Sequence, residues 1–189
     1  MTKVKNLAVL VSGTGSLLQA MIEQKLPIAL VVADRLCRGL ELAEEAGIPT
    51  ELVQRPRLAP GLSSERDIYT RQVVEILEGH DIDLVAMAGW MTVLGAPMFA
   101  AYDGRILNSH PSLLPKFKGG HAVHDALEAG ATETGCTIHW ATLDLDAGPI
   151  VAQERVPIMS DDTETGLHER IKEVERRLYP EVLHKLLKA

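Results

Sequence analysis

Five consecutive apolar residues, Leu-Ala-Val-Leu-Val at 7–11, run directly into Ser-Gly-Thr-Gly-Ser at 12–16. A strand without a single polar position has no face to offer water, so both faces must be covered, as in a parallel sheet layered by helices. The rest of the chain repeats the theme. "SLLQAMIEQ" reads as helix, "IALVVAD" (Ile28 to Asp34) as strand, "RGLELAEEAG" as a helix ending at Gly47, and "TELV" as strand. A helix from about Ser64 to Gly79, with Ser64 as its N-cap, leads to the strand "DLVAMAG", a short helix near Pro97 and the strand "RILNSH". This is the order of βαβ units with parallel strands. After Pro115 the pattern changes. A helix near Ala122 to Ala129 precedes two β segments, "CTIHWATL" and "PIVAQERVPI", and a last helix runs from about Thr163 to Leu187. The sheet is therefore expected to become mixed at that end.

A chain of 189 residues with 46% hydrophobic content can bury roughly 70% of its unfolded surface, enough for one core, so residues 1–189 read as one domain. A formal charge of −7 with no run of like charges argues against nucleic acid and anionic membranes, and for a small-molecule ligand. Cys37 and Cys136 stand far apart, and the start "MTKVKNLAVLV" has too short an apolar run for a leader or a membrane span. A reduced, cytoplasmic setting is expected. No repeat period and no low-complexity linker interrupts the chain.

Three stretches carry chemistry. In "SGTGS" the glycines allow a tight turn, and the N–H groups that open the following helix suit a phosphate. The loop is neither a full G-x-G-x-x-G nor one ending in Gly-Lys-Ser/Thr, which weakens dinucleotide and ATP readings. It serves equally as a plain strand-to-helix turn capped by Ser12 or Ser16. Arg66 could add a cation, although a lone Arg there also reads as a solvated residue. In "LNSHPSLLPK" alternate side chains of an extended chain share a face, so Asn108 and His110 stand side by side at the carboxyl end of a strand, where open α/β sheets place their ligands. In "DLDAGPI" (Asp144 to Ile150), Asp146 reads as a turn residue or, beside His110, as a carboxylate that favours the charged imidazole and fixes its tautomer. His121 and His124 form an H-x-x-H with no further ligand at a metal spacing, so no metal site is expected. The run "HERIKEVERRLYP" alternates charge like a solvated helix face.

"LVSGTGSLLQAM", "AGWMTVL", "RILNSHPSLLPKFKG", "GCTIHWATLDLDAGPIVAQ" and "RIKEVERRLYP", in that order and spacing, resemble the glycinamide ribonucleotide formyltransferases of purine biosynthesis. N-x-H-P-S-L-L-P with D-x-G-P downstream is shared by folate-dependent formyltransferases in general, and S-G-x-G-S narrows the likeness to that branch. The resemblance implies a Rossmann-like three-layer αβα sandwich with a mostly parallel, mixed sheet. It implies a formyl transferase that uses 10-formyltetrahydrofolate as co-substrate, without metal, as a monomer or homodimer. Catalysis would fall to Asn108, His110 and Asp146, with His139 lining the site. Glycinamide ribonucleotide would be held by Gly13, Thr14, Gly15, Ser16 and Leu17 with Arg66, and at its other end by Lys172, Glu173, Val174 and Glu175. The folate would lie against Met91, Thr92, Val93 and Leu94, and against Thr142, Leu143, Asp144, Leu145 and Asp146, with Phe99, Ile106 and Asn108 completing the wall. The family also suggests a cis Leu114–Pro115 peptide. Two positions depart from it: Leu17 stands where Asn is usual, leaving only backbone there, and Thr92 stands where Arg is usual.

Other functions share parts of this pattern. A formyltetrahydrofolate hydrolase has the same Asn, His and Asp but carries an N-terminal regulatory domain, whereas here the first strand begins by residue 7. A methionyl-tRNA formyltransferase needs a basic C-terminal RNA-binding domain, and this chain is acidic. A non-catalytic phosphate sensor would use "SGTGS" without needing the Asn, His and Asp together.

Overall fold

The computed structural model describes residues 6–55 and 63–188. The extreme N-terminus read above for a leader lies outside them. Thirteen elements follow in chain order: β1 (Leu7–Val11), α1 (Ser16–Glu23), β2 (Ile28–Ala33), α2 (Arg38–Glu45), β3 (Thr50–Leu52), α3 (Ser63–Gly79), β4 (Leu84–Met87), α4 (Ala96–Ala101), β5 (Ile106–His110), α5 (Ala122–Glu128), β6 (Glu133–Trp140), β7 (Ile150–Pro157) and α6 (Glu164–Lys188).

The strands form one sheet in the order β3-β2-β1-β4-β5-β6-β7. β1 to β5 are parallel, while β6 runs antiparallel to β5 and β7 antiparallel to β6. The α/β sandwich with a mostly parallel, mixed sheet is thus the observed architecture. All five residues of β1 are buried, and they alternate as pleating requires. Leu7, Val9 and Val11 face a core with Leu18 and Met21 of α1, Leu40 of α2, Val123 of α5 and Ile171 of α6. Ala8 and Leu10 face a second core with Tyr69, Val73 and Leu77 of α3 and Met98 of α4. The strand order reverses direction between β1 and β4, which opens a crevice at the carboxyl ends of the strands.

α6 is docked by an internal proline. Pro180 cannot donate to the carbonyl of Arg176 one turn back. The side-chain amide of Gln24, the residue closing α1, donates to that carbonyl at 3.3 Å, and His184 meets the Gln24 carbonyl at 3.1 Å. The two helices are joined where the proline breaks the ladder.

Several local expectations shift. α3 begins at Ser63, so Ser64 lies within its first turn instead of capping it. α1 has no side-chain cap: Gly15 occupies the cap position with φ +73°, and the Ser12 hydroxyl accepts the N–H of Met91 at 2.8 Å. β6 starts three residues earlier than read and ends at Trp140, not Leu143. The reason is the loop 141–149, which closes so tightly that a Cβ on Gly148 would stand 1.8 Å from the Trp140 carbonyl oxygen.

Candidate active site

β5 sets the geometry. Its pleat sends Asn108 and His110 toward one face and Leu107 and Ser109 toward the other. The antiparallel partner β6 places His139 opposite Asn108. The loop that follows β6 then returns with Asp146, whose backbone adopts the left-handed conformation at φ +51°, a region that Asp tolerates better than most residues. Asp146 Oδ2 stands 3.3 Å from His110 Nδ1, and both side chains are almost wholly buried. Asp146 Oδ2 also accepts the N–H of Gly119 at 2.8 Å.

The other ring nitrogen of His110, Nε2, lies 2.7 Å from the carbonyl oxygen of Phe117. A carbonyl only accepts, so Nε2 carries the hydrogen. Nδ1 is the nitrogen that faces Asp146. Phe117 presents that carbonyl through a left-handed backbone at φ +53°, a strained setting for a bulky residue, close to the Leu114–Pro115 peptide, which is cis as the family suggested.

His139 completes the cluster. Its Nδ1 faces the Trp140 carbonyl at 3.1 Å, so Nδ1 carries the hydrogen, and Nε2 is left as an acceptor for the Asn108 amide nitrogen at 3.3 Å. Burial, the largest influence, holds its pKa below the ordinary imidazole value, against the opposing effects of the Trp140 carbonyl and Asp146. The neutral ring therefore orients the Asn108 amide so that its remaining N–H points away from His139. Asp146 Oδ1 is 3.7 Å from His139 Nε2, too far for a hydrogen bond.

On the opposite face, Glu175 of α6 accepts a hydrogen bond from Ser109. Burial raises its carboxyl pKa, while the Ser109 hydroxyl and the charges of Lys172 and Arg176 pull it down. Lys172 holds Glu169 at 2.8 Å, Glu173 is exposed and Val174 is half-buried.

At the end of β1, Gly13 and Thr14 are exposed, Gly15 is buried and Ser16 half-buried. The Gly13 carbonyl accepts the N–H of Gly39 at 3.1 Å, tying the loop to α2. Leu17 is 4% exposed and packs in the core, so only its backbone can face a ligand. Arg66 sits in the other helix layer: the Thr70 hydroxyl donates to its carbonyl at 2.7 Å and accepts the Gly95 N–H at 2.9 Å. That chain of bonds ties α3 to the loop after β4. The Arg66 Nε is buried and has no partner among the described residues.

The loop after β4 is anchored at three points: Met91 to Ser12, Thr92 to Asp34, and Gly95 to Thr70. The Thr92 hydroxyl donates at 2.6 Å to Asp34 Oδ2, a fully buried carboxylate also met by Arg35 at 3.2 Å and Arg55 at 3.6 Å. The side chain of Thr92 is thus turned inward, away from a crevice ligand. Leu94 is buried, and Ile106, at 1% exposure, belongs to the core and supports the wall without surfacing on it. Phe99 is half-buried beside it. Met91, Val93, Leu143 and Leu145 are each more than half exposed, which leaves two apolar loop tips facing solvent. Thr142 donates to the carbonyl of Asp144, which shapes the second loop.

Sequence reasoning did not find Ser109, Phe117, Gly119 or Asp34. The only local signal for any of them was the Gly119–Gly120 pair, a mark of close backbone approach. His121 caps α5, and His124 lies 3.4 Å from both Glu128 and Glu164.

The formyl transferase family model matches residues 5–183. A phosphoribosylglycinamide formyltransferase of Mycobacterium tuberculosis is 44% identical over 177 residues, covering 91% of this chain and 80% of that protein. The human trifunctional purine biosynthetic protein adenosine-3 is 41% identical over 96% of this chain, which spans only 18% of that longer relative. Among solved structures, a phosphoribosylglycinamide formyltransferase from Streptococcus pneumoniae superposes with a TM-score of 0.86 at 40% identity, covering 96% of this chain and 98% of the other. One from Anaplasma phagocytophilum gives 0.88 at 37%, covering 98% and 88%.

Proposed function

The chain belongs to the formyl transferase family, and from that premise we propose that it moves the formyl group of 10-formyltetrahydrofolate onto the amine of glycinamide ribonucleotide, a step of purine biosynthesis. The observation that carries the reading is the convergence of Asn108, His110 and Asp146, three side chains from two distant segments, at the crevice.

The neutral amine attacks the formyl carbon, forming a C–N bond and placing negative charge on the formyl oxygen. The free N–H of Asn108, with His110 beside it, stabilises that oxygen. Collapse breaks the bond from carbon to the folate N10, which needs a proton, while the attacking nitrogen must lose one. The His110–Asp146 pair mediates that transfer, directly or through a water. Asp146 keeps the imidazole oriented, and the Phe117 carbonyl fixes the remaining ring nitrogen. The reaction needs no covalent enzyme intermediate.

The N–H groups that open α1 take the ribonucleotide phosphate, with Gly13, Thr14, Gly15, Ser16 and Leu17 contributing backbone. Lys172, Glu173, Val174 and Glu175 take its other end, with Glu175 as acceptor for ribose hydroxyls or the glycyl amine. The exposed Met91, Val93, Leu143 and Leu145 cover the flat, largely apolar folate. Arg66 adds a cation for the ribonucleotide phosphate. No helix among the described residues is long and apolar enough to cross a membrane, and both cysteines are free. We place the enzyme in the cytoplasm.

The test is turnover of 10-formyltetrahydrofolate with and without glycinamide ribonucleotide. Release of tetrahydrofolate only when the amine is present supports the reading. Release of formate without it points to a hydrolase, and binding without turnover to a sensor.

A further inference from the structure

β5 and α6 are joined by two side-chain rungs. Tyr179 donates its hydroxyl to the Leu107 carbonyl at 2.8 Å, and Ser109 donates to Glu175 Oε1. Leu107 and Ser109 are two apart on a strand, and Glu175 and Tyr179 four apart on a helix, so each pair shares one face and the rungs stack. The upper rung differs from the lower. Tyr179 is wholly buried and its bond ends in the core, whereas Glu175 is only partly buried and the Ser109 hydroxyl engages its Oε1. Ser109 also sits between Asn108 and His110, so whatever it holds lies directly behind the reacting groups.

Building on the activity proposed above, we propose that Ser109 is a positioning residue for the ribonucleotide: its hydroxyl locks the Glu175 carboxylate through Oε1 so that Oε2 is presented to the substrate's hydroxyl or amine donors.

Burial, the largest influence, raises the Glu175 pKa, and the groups around it oppose that only in part. On α6 it faces Lys172 and Arg176, both cationic, and Tyr179. On β6 it faces Cys136, whose buried thiol stays protonated. Burial opposes ionisation, and the donated hydroxyl bond offsets it, since hydrogen bonds to charged acceptors are roughly twice as strong as neutral ones. Removing the hydroxyl should both loosen the carboxylate and make it protonate at higher pH. A protonated Glu175 loses an acceptor, so ribonucleotide binding should fail earlier on the acid side.

Three variants test this by steady-state kinetics across pH. Ser109→Ala is expected to raise KM for glycinamide ribonucleotide by about tenfold, with KM for 10-formyltetrahydrofolate near wild type and kcat changed less than KM. The acid limb of kcat/KM for the ribonucleotide should move to higher pH. Ser109→Thr, which retains the hydroxyl, should restore both. Tyr179→Phe removes the other rung and is expected to lower thermal stability while leaving that KM and the acid limb unmoved. A Ser109→Ala enzyme that turns over with unchanged ribonucleotide KM and an unmoved limb overturns this role alone. Equal loss for both substrates overturns it too, as would a Tyr179→Phe enzyme with the same kinetic defect, because the rung would then act only through packing. Absence of any ribonucleotide-dependent turnover in the wild-type chain overturns the activity it builds on, and this role with it.

Discussion

At the end of β1 the groups proposed to hold the phosphate are backbone, supplied by five consecutive residues. At the end of β5 the groups that meet are side chains, brought together from positions 108, 110, 139 and 146. The first kind of site depends on where the main chain can go, so it resists added bulk and tolerates altered side chains such as Leu17. The second depends on chemical identity, so it resists substitutions that leave the backbone undisturbed.

The largest effect expected from this contrast lies at β5. Asp146→Asn and His110→Ala should each lower kcat by a factor on the order of 10² to 10⁴ while both ligands still bind. The double variant should be little worse than either, because the two act as one unit. Fully additive losses in that cycle would show independent roles and break the contrast on its chemical side.

Next comes the backbone site. A Cβ at Gly15 would meet Gly39 Cα at 2.8 Å and Leu42 Cδ1 at 2.9 Å, on a residue already at φ +73°. Gly15→Ala should cost about 1–3 kcal/mol of stability by thermal or denaturant unfolding and weaken the ribonucleotide more than the folate by calorimetry. Leu17→Asn, by comparison, should alter ribonucleotide affinity only slightly. An unchanged Gly15→Ala enzyme would mean that the loop is a plain turn.

Thr92→Val sharpens the comparison from a third place. It removes a donor from the fully buried Asp34 carboxylate, which keeps Arg35 and Arg55, and should cost about 1–3 kcal/mol. Loss of that anchor should raise KM for the folate and spare the ribonucleotide.

The smallest expected effect concerns pH. His139 is held neutral by burial, so its pKa in the folded chain lies below that in the unfolded chain. The unfolded state then binds more protons as pH falls below about 6.5, and stability should decline on that side. His168, lowered chiefly by burial as well, adds to the same decline. In His139→Gln, which can still accept from Asn108, the acid-side loss measured by thermal unfolding should be shallower. An unchanged slope would remove the neutral-histidine account of how Asn108 is oriented.

The pairing of Asn108 with His110 was legible because a strand's period is two and needs no knowledge of the rest of the fold. The glycine loop was legible for the same kind of reason. Asp146 could be nominated but not located, since its distance from His110 depends on a loop reaching back across β6. Phe117 gave no signal at all: a left-handed φ at a bulky residue runs against its local preference and persists only because the surrounding contacts enforce it. Thr92 read as a ligand contact by likeness, and its hydroxyl is instead committed to Asp34, 58 positions away.

By itself, then, the amino-acid order determined the βαβ alternation, the buried character of β1, the anion-suited turn and the shared face of two reactive side chains. These are all consequences of backbone period and residue type within a few positions. Only the tertiary structure decided that Ser109 meets Glu175, that Thr92 meets Asp34, and that the two ring nitrogens of His110 face a carbonyl and a carboxylate. Those contacts join segments 7 to 66 residues apart in the chain. What sets them is the order of strands in the sheet and the docking of α6 through Pro180 and Gln24, and neither leaves a local trace.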